Sequence, residues 1–192
     1  MRIGITGGIG SGKSYVCRLL ARHGIEVYDC DAAAKRLMRT SPRLRQQLTE
    51  LIGPQAYDSA NGQQLNKAAV AQFLLASEDN AQAIDAIVHP AVFDDFLQSG
   101  QQWVESAILY ESGLDRLVDK VVVVTAPDEV RIDRIVRRDG ITAEKARQWL
   151  NRQWPQELVR QKADFEIVND GATPLNDQID ALLQSVGAGD AI

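Results

Sequence analysis

Eight residues at positions 7–14, Gly-Gly-Ile-Gly-Ser-Gly-Lys-Ser, have the types and spacing of a phosphate-binding loop. They follow an apolar opening, residues 1–6, that reads as a strand, and they precede a helical pattern. Glycines let the backbone curl until successive N–H groups point inward at phosphate oxygens, and the helix that follows adds the partial positive charge of its N-terminus. Lys13 is expected to reach the β- and γ-phosphates of a nucleotide, and Ser14 to offer a hydroxyl to Mg²⁺. The expected nucleotide-binding set is Gly8, Ile9, Gly10, Ser11, Gly12, Lys13, Ser14 and Tyr15. A chain with this loop handles a nucleoside triphosphate.

Phosphoryl transfer also needs a group facing the nucleophile's proton and cations where charge spreads over the moving phosphoryl. Asp29-Cys30-Asp31 stands at the end of a short strand pattern, Ile25-Glu26-Val27-Tyr28, so one of the two carboxylates can face an acceptor hydroxyl. Capping the helix that begins at Ala32 is the competing role for either. Arg131, Arg134 and Arg138 share one helical face, with Arg137 beside them and Arg147 and Arg152 on the next segment. The Asp139-Gly140 turn that follows suits a lid that folds over phosphates, whereas an arginine stripe is otherwise a solvated face. Asn169-Asp170-Gly171 ends the last strand where an adenine-contacting loop belongs, and the same residues are ordinary turn formers. His89-Pro90 reads either as a hydrogen-bonded imidazole at a helix restart or as part of a site.

The elements that position these groups alternate strand and helix. Val16, Leu19 and Leu20 recur at helical spacing up to Gly24, and residues 103–110 and 120–124 read as core strands, the second apolar enough for burial on both faces of a parallel sheet. Helices are expected over 32–38, 42–52, 65–76 and 79–97, the last broken or restarted at Pro90. A loop is expected over 53–64. This helical stretch exceeds what a crossover needs and is the place for an acceptor-binding lobe. Helices over 128–138, from the Thr142 N-cap to about 153, and over 175–186, with a strand at 165–169, complete the pattern.

The 192 residues carry a net charge of −5, from 21 basic and 26 acidic side chains, with no basic block, which argues against a nucleic-acid partner and for small-molecule substrates. No apolar run approaches transmembrane length and the chain opens directly on a strand, so the expectation is a cytoplasmic protein without a membrane partner. Cys17 and Cys30 form no CxxC pair and read as reduced thiols, and His23 and His89 are too scattered for a zinc site. Oligomeric state is not legible.

Taken together, the residues resemble the dephospho-CoA kinase family over nearly the whole chain. Thr6 and residues 7–14, the Asp29-Cys30-Asp31 pair, His89-Pro90, Arg138-Asp139-Gly140 with Ala146 and Gln153, and Ala163-Asp164 with Asn169 carry the resemblance. It implies ATP-dependent phosphorylation, with Mg²⁺, of the ribose 3′-hydroxyl of dephospho-CoA to give CoA and ADP. It further implies that Asp31 is the general base, that Arg138 is the lid arginine over the nucleotide, that Asn169 contacts the nucleotide, and that His89 and Glu105 bind the acceptor. The implied fold is a three-layer α/β/α phosphate-loop domain with a five-stranded parallel sheet. Its core is 1–31, 101–136 and 157–186, with a helical acceptor insertion at 32–100, a helical lid at 137–156 and a frayed tail at 187–192.

Two departures bear on the acceptor. The family's Asp-Val-Pro-Leu-Leu-Phe-Glu stands here as Glu105-Ser106-Ala107-Ile108-Leu109-Tyr110-Glu111, and its basic residue after His-Pro gives way to Ala91-Val92-Phe93-Asp94. A nucleoside monophosphate kinase would share the loop, lobe and lid, and Lys35, Arg36, Arg39, Arg43, Arg45 and Lys67 leave that reading open. A GTPase-type switch needs Asn-Lys-x-Asp, whereas Asn66-Lys67 is followed by Ala68 and Ala69, with no aspartate for a guanine edge.

Overall fold

The computed structural model describes residues 1–57 and 64–187. Half of the expected 53–64 loop, residues 58–63, and nearly all of the expected tail lie outside the described residues; the described part of the loop holds a short 3-10 turn, Pro54–Ala56.

The first strand, β1 (Ile3–Thr6), is buried at all four positions and runs into the phosphate loop and α1 (Lys13–Arg22). Strand β2 (Val27–Asp29) leads into α2 (Cys30–Thr40), α3 (Pro42–Ile52), α4 (Lys67–Ala76) and α5 (Glu78–Ser99). Strand β3 (Trp103–Glu105) precedes β4 (Lys120–Thr125), α6 (Asp128–Asp139), α7 (Ala143–Leu150), α8 (Gln156–Lys162), β5 (Phe165–Val168) and α9 (Leu175–Ser185).

The sheet order is β2-β3-β1-β4-β5, with β1 central. Its pairing is parallel: Ile5 stands opposite Glu105 of β3 and opposite Val122 of β4, and Thr125 of β4 stands opposite Val168 of β5. That register brings the carboxyl ends of β1, β3, β4 and β5 to one edge, where loops of an open parallel sheet bind ligands. One face is sealed by α1 and α9, whose Val16, Leu19, Leu20, Ile179, Leu182 and Leu183 pack on Ile3, Ile5, Val122, Val124 and Ile167. On the way to the other layer, α8 packs on β4, giving three layers, α/β/α. Each fully buried Leu or Ile contributes about 1.5–3 kcal/mol.

The chain divides into two compact units, Met1–Tyr28 with Gln101–Ile192, and Asp29–Gly100. The second is helical. Its α5 packs against α2, α3 and α4, and Ile84, Val88, Val92 and Phe96, four residues apart, form its buried face. Arg36 of α2 and Asp95 of α5 form an ion pair at 2.5 Å, and the Tyr57 hydroxyl donates to the Met38 carbonyl at 2.7 Å.

Several expected boundaries shift. Helix α5 passes Pro90 without a break: the proline forfeits a bond to the Ala86 carbonyl, but the continuous buried stripe on both sides holds the helix together. Strand β3 stops at Glu105, not residue 110, because the Ser106 hydroxyl accepts from the Ile108 N–H and turns the chain. Helix α2 starts at Cys30, two residues before the expected Ala32. The segment expected to stay helical to 153 ends at Leu150, and α8 after Pro155 was not anticipated from the sequence, since seven mostly polar residues show little periodicity.

Candidate active site

The loop between β1 and α1 is held from outside by side chains distant in sequence. Arg131, 4% exposed on α6, donates through Nε to the Ile9 carbonyl at 3.0 Å and through Nη1 to Asp128 at 3.0 Å. Arg134, one turn on, donates from Nη1 to the carbonyls of Gly10 and Ser11 at 3.3 and 3.1 Å, and from Nη2 to the Asn169 carbonyl at 2.9 Å. Asn169, buried past the end of β5, donates from Nδ2 to the Ser11 carbonyl at 2.7 Å, while its own N–H bonds the Thr125 carbonyl. Gln153, in the turn between α7 and α8, accepts from the Ile9 N–H at 2.7 Å. The Ile9 side chain packs among Ile132, Ile135 and Ala146.

This crowding explains the glycines. Gly10 has φ +79°, and a Cβ there would meet the Arg131 backbone at 2.7 Å. Gly12 has φ +95°, and a Cβ would strike the Asn169 amide. Both conformations exclude ordinary side chains, so the fit needs glycine twice over. Gly12 then precedes α1, whose first N–H groups, Lys13 and Ser14, have no carbonyl one turn behind them and are available to an anion.

Lys13 bends back over the loop, its Nζ donating to the Gly7 carbonyl at 2.7 Å and lying 3.9 Å from Glu105 Oε1. Burial pushes the ammonium below its ordinary pKa; the Glu105 carboxylate opposes that shift, and the guanidinium charges of Arg131 and Arg138 add to it. An anion arriving at the loop therefore meets a cation whose charge is under-compensated. Arg131 is likewise lowered by burial and held up by Asp128.

The other expected residues fall as follows. Ser14 and Tyr15 are exposed on the first turn of α1, with the Arg18 guanidinium 5.4 Å from the Tyr15 ring centre. Arg138, near the end of α6, is exposed and forks onto its neighbour Asp139 at 3.0 and 2.7 Å. Within the helical unit, Asp29 accepts from the Ala32 N–H at 2.9 Å and is the cap of α2, whereas Asp31 lies exposed in its first turn, 2.5 Å from Lys35. His89 lies 3.6 Å from Asp85 and 6.1 Å from the Phe93 ring. The arginine stripe thus divides: Arg131 and Arg134 turn in to the loop, and Arg138 remains outside. Sequence reading did not assign Arg131, Arg134 or Gln153 to the loop; the helical spacing placed the two arginines on one face but could not say what the face meets.

A central β1 running into this loop, with a largely buried lysine and a helix N-terminus behind it, defines a phosphate-loop nucleotide-binding protein. The family model described as CoaE, dephospho-CoA kinase, matches residues 1–174. Curated dephospho-CoA kinases from Porphyromonas gingivalis and Bacteroides fragilis are 41% and 40% identical, covering 96% and 93% of this chain and 93% and 89% of their own. A solved structure from Thermus thermophilus, 29% identical, matches 100% of this chain and 98% of its own with a TM-score of 0.79. A shikimate kinase from Acinetobacter baumannii, 18% identical, shares the fold at a TM-score of 0.59 over 100% of this chain and 95% of its own. The chain belongs to the dephospho-CoA kinase family and is an ATP-dependent kinase.

Proposed function

We propose that this chain moves the γ-phosphoryl of ATP onto the ribose 3′-hydroxyl of dephospho-CoA, giving CoA and ADP, the last step of coenzyme A synthesis. The observation that carries the reading is the braced phosphate loop with the buried Lys13 ammonium, in a chain matched by the family over residues 1–174. In the reaction the bond from Pγ to the bridging oxygen of ADP breaks, a bond from the 3′-oxygen to Pγ forms, and the hydroxyl proton passes to a carboxylate.

Lys13 and the N–H groups of the loop and first turn of α1 hold the β- and γ-phosphates and stabilise charge that grows on the bridging oxygen. Mg²⁺, when bound with ATP, neutralises phosphate oxygens. Ser14 is the residue to hold it, since its hydroxyl is exposed on the first turn of α1. We assign the base to Asp31 over Asp29: Asp29 is fixed by the backbone as the cap of α2, whereas the partner of Asp31 is the exposed and exchangeable side chain of Lys35. Residues 32–100 bind the acceptor, with His89 and Glu105 contributing, and residues 137–156 form a lid whose Arg138 exchanges Asp139 for the nucleotide. Asn169 serves the nucleotide through the loop carbonyl it holds. No helix among the described residues is long and apolar enough to cross a membrane, and a cytoplasmic setting, where ATP is made available, belongs to the proposal.

Incubation with ATP, Mg²⁺ and dephospho-CoA tests the reading by mass spectrometry of the product. A single added phosphoryl on the ribose 3′-oxygen is the expected outcome; no product, or phosphorylation elsewhere, contradicts it.

A further inference from the structure

We propose that Gln153 is a positioning residue for phosphoryl transfer, which sets the reversal of the backbone at the tip of the phosphate loop. The inference goes beyond the acceptor assignment and needs only that residues 7–14 bind a nucleotide.

Four successive peptide planes run from Gly8 to Gly12, and each is fixed by a side chain from another part of the chain. The Ile9–Gly10 plane is fixed through its carbonyl by Arg131, the Gly10–Ser11 plane through its carbonyl by Arg134, and the Ser11–Gly12 plane through its carbonyl by Arg134 and Asn169. In a trans peptide the carbonyl and N–H point in opposite directions, so drawing the carbonyl toward the bracing side chain turns the N–H the other way. The Gly8–Ile9 plane is held in the reverse sense: its N–H is drawn out to the Gln153 Oε1 at 2.7 Å. Its carbonyl, on Gly8, accordingly turns inward and accepts from the Ser11 N–H at 3.1 Å, closing the tight turn at the tip.

Gln153 is the acceptor in this set, and the three donors, Arg131, Arg134 and Asn169, cannot replace it, since an arginine has no acceptor and the Asn169 side chain is engaged at Ser11. Without it the Ile9 N–H loses its partner, and the Gly8–Ile9 plane, free to turn on its Gly8 side, holds the Gly8 carbonyl less firmly against the Ser11 N–H. Gln153 lies in the turn between α7 and α8, within the segment read as a lid, so its bond also joins that segment to the loop.

The test uses the full chain with Gln153→Met, which keeps length and removes the acceptor, and Gln153→Glu, which keeps the acceptor. Three quantities are read: exchange protection of the Ile9 amide, affinity for ADP with Mg²⁺, and KM for ATP. Gln153→Met should lose the protection and weaken ADP binding about five- to tenfold, with KM for ATP rising in step and KM for the acceptor unchanged. Gln153→Glu should retain the protection. ADP binding that is unchanged or tighter in Gln153→Met overturns the proposal, as does Ile9 exchange that is the same in Gln153→Met as in the parent. Since ADP binding involves no acceptor, a wrong acceptor assignment leaves this test intact.

Discussion

Lys13 is pulled below its ordinary pKa by its own desolvation, and one carboxylate works against that pull. Burial favours the neutral amine, and the Glu105 carboxylate 3.9 Å away is the largest influence opposing that. Removing Glu105's charge must therefore lower the Lys13 pKa further. We expect Glu105→Gln to shift the alkaline limb of kcat/KM for ATP to lower pH, measured at saturating acceptor; a limb that stays put or moves up would break the link between the two residues. Lys13→Ala should reduce kcat by about 10³-fold or more, because it removes the cation that lies over the loop at the Gly7 carbonyl. A turnover within tenfold of the parent would remove Lys13 from the chemistry. Lys13, Ser14 and the glycines were legible in the sequence because the loop is local: spacing alone specifies it. Gln153 and Asn169 were not legible as loop braces, since their partners lie 144 and 158 residues away and only the folded sheet brings them together.

At the scale of elements, hydrophobic patterning identified what packs and missed what is short or polar. The β4 run Val121 to Val124 announced a core strand of a parallel sheet and is one, buried along its length after Lys120. Helix α8 escaped notice because its stability comes from packing on β4 and from the Gln156 amide, which bonds both the N–H and the carbonyl of Ala126. Pro90 misled for the opposite reason: a local rule predicted a break that four buried side chains on one face override. That balance makes α5 sensitive at its most enclosed position. Phe96 is fully buried, and Phe96→Ala should cost about 3–5 kcal/mol, read as a lowered denaturant midpoint with little change in slope. A loss under about 1 kcal/mol would show that the helical unit does not depend on this stripe.

The whole molecule combines an acidic chain with a sheet edge where cations are concentrated, so its response to pH depends on individual pairs more than on net charge. Asp164 ties the start of β5 to the start of β4, accepting from Lys120 Nζ at 2.7 Å and from the Val121 N–H at 2.9 Å. Burial pushes its carboxyl up, but the Lys120 ammonium and the N–H donors outweigh that and hold it below its ordinary 3.8. A carboxyl lowered on folding stabilises above its unfolded pKa and loses that contribution as pH falls through the folded value. Asp164→Asn should cost roughly 1 kcal/mol at pH 7, with the gap to the parent narrowing in acid. A constant gap from pH 7 to pH 3 would assign the effect to packing. The fold class was readable from the alternation of strand and helix; the strand order β2-β3-β1-β4-β5 was not, because no local pattern records which strands lie side by side. A helical stretch too long for a crossover was legible from residue 32 onward, and the compact helical unit is Asp29–Gly100. The proposed phosphorylation of dephospho-CoA with Asp31 as base is tested by ADP release with ATP and Mg²⁺ across dephospho-CoA, AMP, CMP, UMP and pantetheine, for the parent and Asp31→Asn. We expect turnover with dephospho-CoA as the sole acceptor of the five, and an Asp31→Asn enzyme that binds ATP normally while losing about 10²-fold or more in kcat. Turnover with a monophosphate, or an Asp31→Asn enzyme as fast as the parent, would contradict it.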